Sequence, residues 1–484
     1  MGDEGYLLYG SWRVGQGEVP LRDFNSYDPG RYYWVAFWSL SFGYDIIGQR
    51  AGVAIFQIAG LACGLFAAHR VVRRYWSLFL AGTLLVVWTW PQFRVFESAL
   101  SMAAVLMGTR LIERPIPRRL WSAGIFVGVA AFFGRNLGVY SLAAFLGILL
   151  MLRWQAKIQL LPAIARLFGG ILFGYSPTFL MMLIYPKFLA SLIDSLPYLK
   201  GCTSSNISLP IPWPWKVPLA GQDWLQDAHQ IFTGVAFVMF FAFFAIALTS
   251  ILGRASEYFI GLPLLGAATL VGLMYAHHAS VRSDLSHLTS VIHPALLGLL
   301  CLITRFSRRG QHAPAVIVAV VLATVTVITP LYQQPYIQKL LYPAQFASET
   351  MQDKQFWISK SQASYINAVR SKVESDLGQD DLVFFAPYTP AMYVVLGRKS
   401  PVWDIYPLWP APLEMQQEMI DELQRTRTKY AVVSDVPLDG NDAWRFSKTH
   451  PEVWTLLHES YEIVEDKKFP NDYLLFRRRQ SPIP

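Results

Sequence analysis

The strongest constraint on how this chain folds is a series of about ten apolar stretches, each roughly 15 to 24 residues long. Most approach the ~20 residues that an α-helix needs to cross the hydrocarbon core of a bilayer. The composition agrees, because 53% of the 484 residues are hydrophobic and only 15% are charged. We therefore predict a polytopic α-helical membrane protein. The stretches begin near Gly52, Ser77, Ala99, Leu120, Leu137, Leu161, Ile231, Tyr258, Leu288 and Ala313.

The basic residues between these stretches predict how the chain crosses the membrane. They lie in alternate loops, and an excess of Lys and Arg is typical of cytoplasmic loops. The net charge of +8 is therefore a topology signal, which argues against nucleic acid as a partner. The opposite, extracytoplasmic face receives residues 1–49, 186–230, 277–287 and the C-terminal part. The basic loops are 69–74, 113–119, 153–157, the region of 254, and 305–309.

The predicted topology places the N-terminal segment outside the cytoplasm, although no apolar stretch or signal peptide precedes it in the sequence. We expect a first transmembrane helix upstream of Met1, absent because the start codon lies further upstream or because the chain was cut. The alternative is spontaneous translocation of a short acidic N-terminus.

The C-terminal part differs in character from the rest, since its charge rises and its apolar runs shorten from about Gln345. Short apolar runs bounded by turn residues predict strands, and helix-compatible patterns alternate with them. We predict a small α/β domain over 345–484, separate from a membrane region over 1–344. The expected strands are DLVFFAP, YAVVSDV and YLLFRRR, and the expected helices cover 355–377, 415–427 and 446–458.

The N-terminal segment carries the densest polar motifs of the chain. It begins DEGYLLYG, with Asp3 and Glu4, and continues after about a dozen residues with PLRDFNSYDPGRYYW, which contains Arg31. A carboxylate pair held just outside a membrane suggests catalysis at the bilayer surface. The simpler interpretation is that both acids are solvated loop residues.

A second polar group lies in the short outer loop 277–287, between two apolar stretches. It contains His277 and His278, followed by Arg282, Asp284 and His287. If the chain is helical from Arg282, Asp284 and His287 share one face at a spacing of three, where they could hold a cation or a phosphate headgroup. The alternative is a helix start with His287 as an ordinary interfacial residue.

Two further charged residues are predicted on the outer face. Arg135 lies in a tight turn between two apolar stretches, and Glu97 stands at the outer start of the third stretch, three residues after Arg94. The arginine could equally be an interfacial residue whose head group reaches the water. A salt bridge with Arg94 is the alternative for Glu97.

The N-terminal motifs and the layout of the whole chain resemble the GT-C superfamily of membrane glycosyltransferases. The similarity is to bacterial relatives of the protein O-mannosyltransferases and of the lipid A aminoarabinose transferase. It implies a GT-C-like membrane fold with a small C-terminal extracytoplasmic α/β domain, in the bacterial inner membrane. It also implies inverting, single-displacement transfer of a hexosyl or pentosyl group from a polyprenyl-phosphate carrier to an extracytoplasmic acceptor.

The resemblance also implies roles for individual residues. Asp3 occupies the acidic position of the family and would be the general base, while Glu4 would orient the site or contribute to a metal site. A divalent cation is left open, with Asp3 and Glu97 as its ligands, because the family often has Asp where this chain has Glu97. The lipid phosphate would be bound by Arg31, Arg135, Arg282, Asp284 and His287.

The sequence identifies neither the sugar nor the acceptor, which could be a lipid, a polysaccharide or a protein. Membrane lipids are the expected surroundings and a monomer is the expected state. A transporter or lipid-sugar flippase is one alternative, but such proteins place ionisable residues near the middle of the bilayer, whereas here these residues gather at the outer edge. A noncatalytic membrane assembly protein is the other alternative.

Overall fold

The computed structural model describes residues 2–201, 207–218, 223–252, 262–351, 354–378, 380–465 and 469–479. By packing, the chain divides into two compact units. The first unit comprises Met1–Gly52, Tyr185–Ser205 and Lys339–Pro484, and the second comprises Val53–Ile184 and Asn206–Gln338. The division predicted at residue 345 stays a prediction; by packing, the N-terminal segment belongs to the same unit as the C-terminal part.

The protein is a polytopic α-helical membrane protein. Among the described residues, six helices are long and apolar enough to cross a membrane, and two bent helix pairs raise this number to eight if each pair is one span. The bends measure 43° between Leu160–Gly174 and Ser176–Ile184, and 62° between Leu285–Val291 and His293–Arg308. The six helices are Ile46–Ala68, Gln92–Glu113, Arg135–Trp154, Trp224–Thr249, Pro263–Val281 and His312–Leu331.

The prediction of about ten spans stays a prediction, because the stretch expected near Tyr258 begins outside the described residues. Two shorter helices, Tyr75–Val87 and Pro117–Phe133, coincide with further predicted stretches. The outer loop predicted over 186–230 contains the helix Phe188–Gly201, while its residues 202–206 and 219–222 lie outside the described part.

Close packing in the second unit depends on small residues. The helices Pro117–Phe133 and Leu160–Gly174 cross where Gly124 faces Gly170. A Cβ atom on Gly124 would lie 2.9 Å from the Cα of Gly170 and 2.0 Å from the carbonyl oxygen of Leu167. In a bilayer no hydrophobic effect holds helices together, so such close backbone approach supplies the van der Waals contact instead.

The N-terminal segment of the first unit is largely helical, and its outer position stays a prediction. It forms the helices Asp3–Val14 and Pro29–Phe42 and then enters Ile46–Ala68. The first helix buries Tyr6, Leu7, Leu8 and Tyr9 in succession, so most of its circumference is covered by protein. Its 12 residues are too few for a membrane span, so the apolar stretches predicted no helix here.

The described residues of the C-terminal part form six strands: β1 (Phe346–Met351), β2 (Lys354–Ser359), β3 (Val383–Ala386), β4 (Tyr430–Val433), β5 (Tyr461–Ile463) and β6 (Leu474–Arg478). Four of them form a sheet with the strand order β3-β4-β6-β5, and β1 and β2 form a separate antiparallel hairpin. β3 and β4 are parallel, whereas β6 runs antiparallel to both β4 and β5. The helices are Lys360–Lys372, Ala391–Val395, Leu413–Arg425, Phe446–Thr449 and Pro451–Ser460.

The three predicted strands are confirmed as β3, β4 and β6. The helix predicted over 355–377 is wrong at its start, because residues 355–359 belong to β2 and the helix begins at Lys360. This start is fixed by Ser359, whose hydroxyl oxygen accepts a hydrogen bond from the backbone N–H of Gln362 and thereby caps the helix.

Both faces of the four-stranded sheet are buried. Phe384 on β3 packs on one side with residues of the helices Leu413–Arg425 and Pro451–Ser460. The neighbouring Val383 and Phe385 point to the other side. That second face is covered by residues of the helix Lys360–Lys372 and by Tyr6, Leu8, Tyr9 and Phe24 of the N-terminal segment. The N-terminal segment therefore supplies part of the hydrophobic core of the C-terminal sheet.

The substitution Gly5→Ala is expected to loosen this attachment. A Cβ atom on Gly5 would lie 2.6 Å from the backbone nitrogen of Ala391 and 2.7 Å from its Cβ. The helices Asp3–Val14 and Ala391–Val395 must therefore separate. Overpacking of this kind typically costs about 1–3 kcal/mol. We expect a lower Tm of the purified protein in detergent. Gly147→Ala is the control, since its Cβ would lie at an ordinary 3.6 Å from Leu270, and an equal Tm for both variants would contradict the packing described.

The buried His450 predicts a pH dependence of stability. Burial lowers the pKa of His450 from 6.5 to about 3, so the folded protein holds this imidazole neutral. Below pH ~6.5 this imidazole binds a proton in the unfolded chain but not in the folded chain. The free energy of unfolding therefore falls toward pH ~3 by up to about 1.4 kcal/mol per pH unit. His450→Asn, which can keep a partner for Thr449, should flatten this slope in thermal unfolding of the intact protein between pH 7 and 4.

The exposed His458 provides the matched control for that experiment, because it lies in the neighbouring helix Pro451–Ser460, with its ring centre 4.8 Å from that of Trp454. His458→Gln should leave the slope of Tm against pH as in the unchanged protein. Identical slopes for the His450 and His458 variants would show that His450 does not carry the acid sensitivity.

Candidate functional site

Asp3, the predicted base, lies in the first turn of the helix Asp3–Val14 in the first unit. Its Oδ1 accepts a hydrogen bond of 2.9 Å from the hydroxyl group of Tyr406. The first turn of a helix favours a carboxylate because unpaired backbone N–H groups give that end a partial positive charge. Asp3 is therefore held by its helix and by one donor from the C-terminal part.

An aromatic cluster surrounds this hydrogen bond. Tyr6 stacks on Tyr406 with ring centres 5.2 Å apart, and Tyr27 meets Tyr6 edge-on at 5.0 Å. The guanidinium carbon of Arg31 lies 5.2 Å from the ring centre of Tyr27, in a cation–π contact. The structure thus brings Asp3 and Arg31, which the sequence places 28 residues apart, to the same group of tyrosines.

Glu4 has a different partner from Asp3. Its carboxylate forms a two-point ion pair with Arg50, whose Nε and Nη2 lie 2.8 Å and 3.2 Å from Oε1 and Oε2. Both residues line a cavity of about 100 Å³ whose remaining wall is largely apolar, with Leu8, Ile46 and Ile366 among its members. This pairing assigns Glu4 to the attachment of the first helix to the helix Ile46–Ala68.

The loop that presents Tyr406 is fixed by polar contacts with the N-terminal segment. Asp404 accepts a hydrogen bond of 2.9 Å from the side-chain amide of Asn25, and the backbone N–H of Asn25 donates to the carbonyl oxygen of Trp403 at 2.8 Å. Asp404 also accepts from the backbone N–H of Tyr406 at 3.2 Å. These contacts set the position of the Tyr406 hydroxyl group relative to Asp3.

The predicted cluster in the second unit forms a connected set of charged contacts. Arg282 donates from Nε to Oδ2 of Asp284 at 2.7 Å, and from Nη1 to the carbonyl oxygen of Ile207 at 3.0 Å. The backbone N–H of Ser283 donates to the carbonyl oxygen of Leu209 at 3.2 Å. The segment that follows residue 206 is therefore attached to this cluster through its main chain.

Asp284 occupies the cap position of the helix Leu285–Val291. Its Oδ1 lies 2.8 Å from both the backbone nitrogen and the ring Nδ1 of His287. Burial would raise the pKa of Asp284, but the hydrogen bonds from His287 and the positive charge of Arg94 outweigh it and hold the pKa well below its usual range. Asp284 is ionised at any physiological pH and serves as the shared anion between Arg282 and His287.

The helix that contains Glu97 packs against the helix Leu285–Val291. Glu97 lies in the first turn of Val95–Glu113 and is only 6% exposed, while Arg94 occupies the cap position of that helix.

Arg135 begins the helix Arg135–Trp154. In that same helix the hydroxyl group of Tyr140 lies 2.9 Å from Nδ1 of His277, in the helix that leads to Arg282.

A metal site is not evident in the part of the chain that the structure describes, where no three His, Cys, Asp or Glu side chains group together. The two residues suggested as cation ligands fall in different units, Asp3 in the first and Glu97 in the second.

Substitutions of Asp284 separate its two structural roles. Asn is a good helix cap but carries no charge, so Asp284→Asn should keep the helix start and lose the ion pairs with Arg282 and His287. Asp284→Ala loses the cap as well, which costs about 1 kcal/mol more. We expect Tm in detergent to fall in the order wild type, Asn, Ala. Equal Tm values for Asn and Ala would show that the cap contributes nothing.

The fold is similar to solved structures of membrane glycosyltransferases. ArnT from Cupriavidus metallidurans bound to undecaprenyl phosphate matches with a TM-score of 0.53 at 12% identity, over 98% of this chain and 93% of that chain. Its apo state matches with a TM-score of 0.55 and the same identity and coverage. An oligosaccharyltransferase from Archaeoglobus fulgidus, in complex with Zn and sulfate, gives a weaker TM-score of 0.45 at 11% identity, over 99% and 69% of the two chains.

No protein-family model and no curated protein sequence matches the chain. The similarity therefore lies in three-dimensional structure, and it extends over nearly the whole length. The resemblance suggested by the N-terminal motifs is confirmed at the level of the fold, which is similar to that of ArnT.

Proposed function

We propose that this protein is a glycosyltransferase that moves a sugar from a polyprenyl-phosphate carrier to an acceptor outside the cytoplasm. The observation that carries the proposal is the similarity in fold, over 98% of the chain, to a glycosyltransferase whose structure contains undecaprenyl phosphate. The proposed location is the bacterial inner membrane, with the C-terminal sheet on the extracytoplasmic side. The acceptor is a hydroxyl group of a lipid, a polysaccharide or a protein.

The proposed reaction is a single displacement at the anomeric carbon. The acceptor oxygen forms a bond to this carbon from one side as the bond to the phosphate oxygen breaks on the other, so the configuration inverts. The proton of the hydroxyl group passes to a carboxylate, and the polyprenyl phosphate leaves with the bonding electrons. A phosphate leaving group needs no general acid, but its growing negative charge must be neutralised by cations.

Asp3 is the proposed general base. Its position at the start of a helix and its hydrogen bond from Tyr406 restrict the rotation of its side chain. Glu4 is proposed to act as a positioning residue through its ion pair with Arg50.

The proposed phosphate-binding residues differ in how they are held. Arg31 is 8% exposed and lies over Tyr27, which gives it a fixed direction. Arg282 is oriented by Asp284, and His287 is oriented by the same carboxylate. Arg135 stands at the first position of its helix, where the positive end of the helix dipole would add to its attraction for phosphate. A divalent cation could supply further neutralisation.

The substitution Asp3→Asn tests the base. Asn cannot accept the proton, so transfer should fall by roughly 10²- to 10⁴-fold while the protein stays folded. The measurement is polyprenyl phosphate released from a panel of polyprenyl-phosphate sugars, with purified protein, with and without divalent cation.

Asp23→Asn is the matched control, because Asp23 also belongs to the N-terminal segment and its carboxylate contacts Arg22 and the backbone N–H of Val19. This variant should transfer at close to the normal rate. A folded Asp3→Asn protein with unchanged transfer would refute the role of Asp3. Release from no donor by folded wild-type protein would favour a transporter or an assembly protein instead.

A further inference from the structure

A cavity lined by arginines lies at the helix ends of the second unit, on the side that the basic loops predict to be cytoplasmic. Its volume is about 590 Å³. It lies where three helices end or begin: Ile46–Ala68, Val95–Glu113 and Pro117–Phe133. The cations in its wall are Arg70, Arg110, Arg118 and Arg119.

The positive charge in this cavity is only partly neutralised. Glu113 forms an ion pair with Arg70 and lies 3.9 Å from Nη1 of Arg119. In the described part of the chain, no carboxylate pairs with Arg110 or Arg118. Four guanidinium groups against one carboxylate leave a net charge of +3 around the cavity, which is unfavourable unless an anion enters.

The N-terminal end of the helix Pro117–Phe133 also favours an anion in the cavity. Arg118 and Arg119 lie in its first turn, where the partial positive charge of the backbone N–H groups disfavours cations. An anion in the cavity would interact favourably with this helix end and with the guanidinium groups at once. Guanidinium groups also match the geometry of phosphate oxygens, because they donate two parallel hydrogen bonds.

The position of the cavity points to a lipid as the source of that anion. Two of the three helices are long and apolar enough to cross a membrane, so their ends lie at the depth of the lipid headgroups. Apolar side chains, Met107 and Ile116, complete the wall beside the arginines, and Ile116 is 47% exposed. A ligand with a charged head and an apolar body fits this combination better than a free ion.

We propose that this cavity binds the phosphate headgroup of an anionic membrane phospholipid. The guanidinium groups of Arg110 and Arg118 contact the phosphate, and Met107 and Ile116 contact the start of the acyl chains. The bound lipid neutralises the repulsion among the arginines and thereby stabilises the junction of the three helices. Basic pockets between membrane helices are known to take anionic headgroups.

The test compares lipids on purified protein in detergent, by thermal unfolding and by native mass spectrometry. Phosphatidylglycerol should raise Tm and remain bound, whereas phosphatidylcholine and inorganic phosphate at the same concentration should do neither. The double variant Arg110→Gln, Arg118→Gln should bind phosphatidylglycerol at least roughly tenfold more weakly, since each arginine near the surface contributes about 1 kcal/mol.

The double variant Arg73→Gln, Arg74→Gln is the matched control. It removes the same charge from the same face at exposed positions that do not line the cavity, and it should keep normal lipid binding. If the cavity double variant does not fold, Arg118→Gln alone, at an exposed position, replaces it and should still weaken binding measurably. Equal lipid binding by the cavity and control variants, or stabilisation by inorganic phosphate as strong as by phosphatidylglycerol, would overturn the proposal.

Discussion

The first unit depends on the burial of N-terminal aromatic side chains against the C-terminal sheet. Tyr9 and Phe24 are each 1% exposed, and burial of such a side chain is worth roughly 2–3 kcal/mol. The sheet needs this cover, because both of its faces are apolar and the helices Lys360–Lys372 and Ala391–Val395 cover the face of Val383 and Phe385 only in part. Two segments more than 300 residues apart therefore fold as one body.

The position of Asp3 is a consequence of this packing. A carboxylate on a segment without packing partners would ordinarily be mobile. Here the helix that carries Asp3 is anchored one turn later by Tyr6 and two turns later by Tyr9, whose hydroxyl oxygen accepts a hydrogen bond from the backbone N–H of Ser400. The acid is thus placed on a packed helix.

Sequence patterns predicted those parts of the molecule whose structure depends on residues close together in the chain. The strands β3, β4 and β6 and the long helices follow from apolar runs, and the spacing of Asp284 and His287 follows from helical periodicity. The hairpin of β1 and β2 was missed because its strands, FASETM and KQFWIS, contain no apolar run longer than three residues; most of their side chains are half-buried.

The partners of the candidate site could not be predicted in this way. Tyr406 reaches Asp3 across 403 residues, and Arg50 reaches Glu4 across 46, through contacts that exist only after the unit has packed. Arg282 and Ser283 are attached to Ile207 and Leu209 differently, because both acceptors are main-chain carbonyl groups and not side chains. Every amino acid offers that carbonyl, so the side chains of this segment can change without detaching it from Arg282 and Ser283.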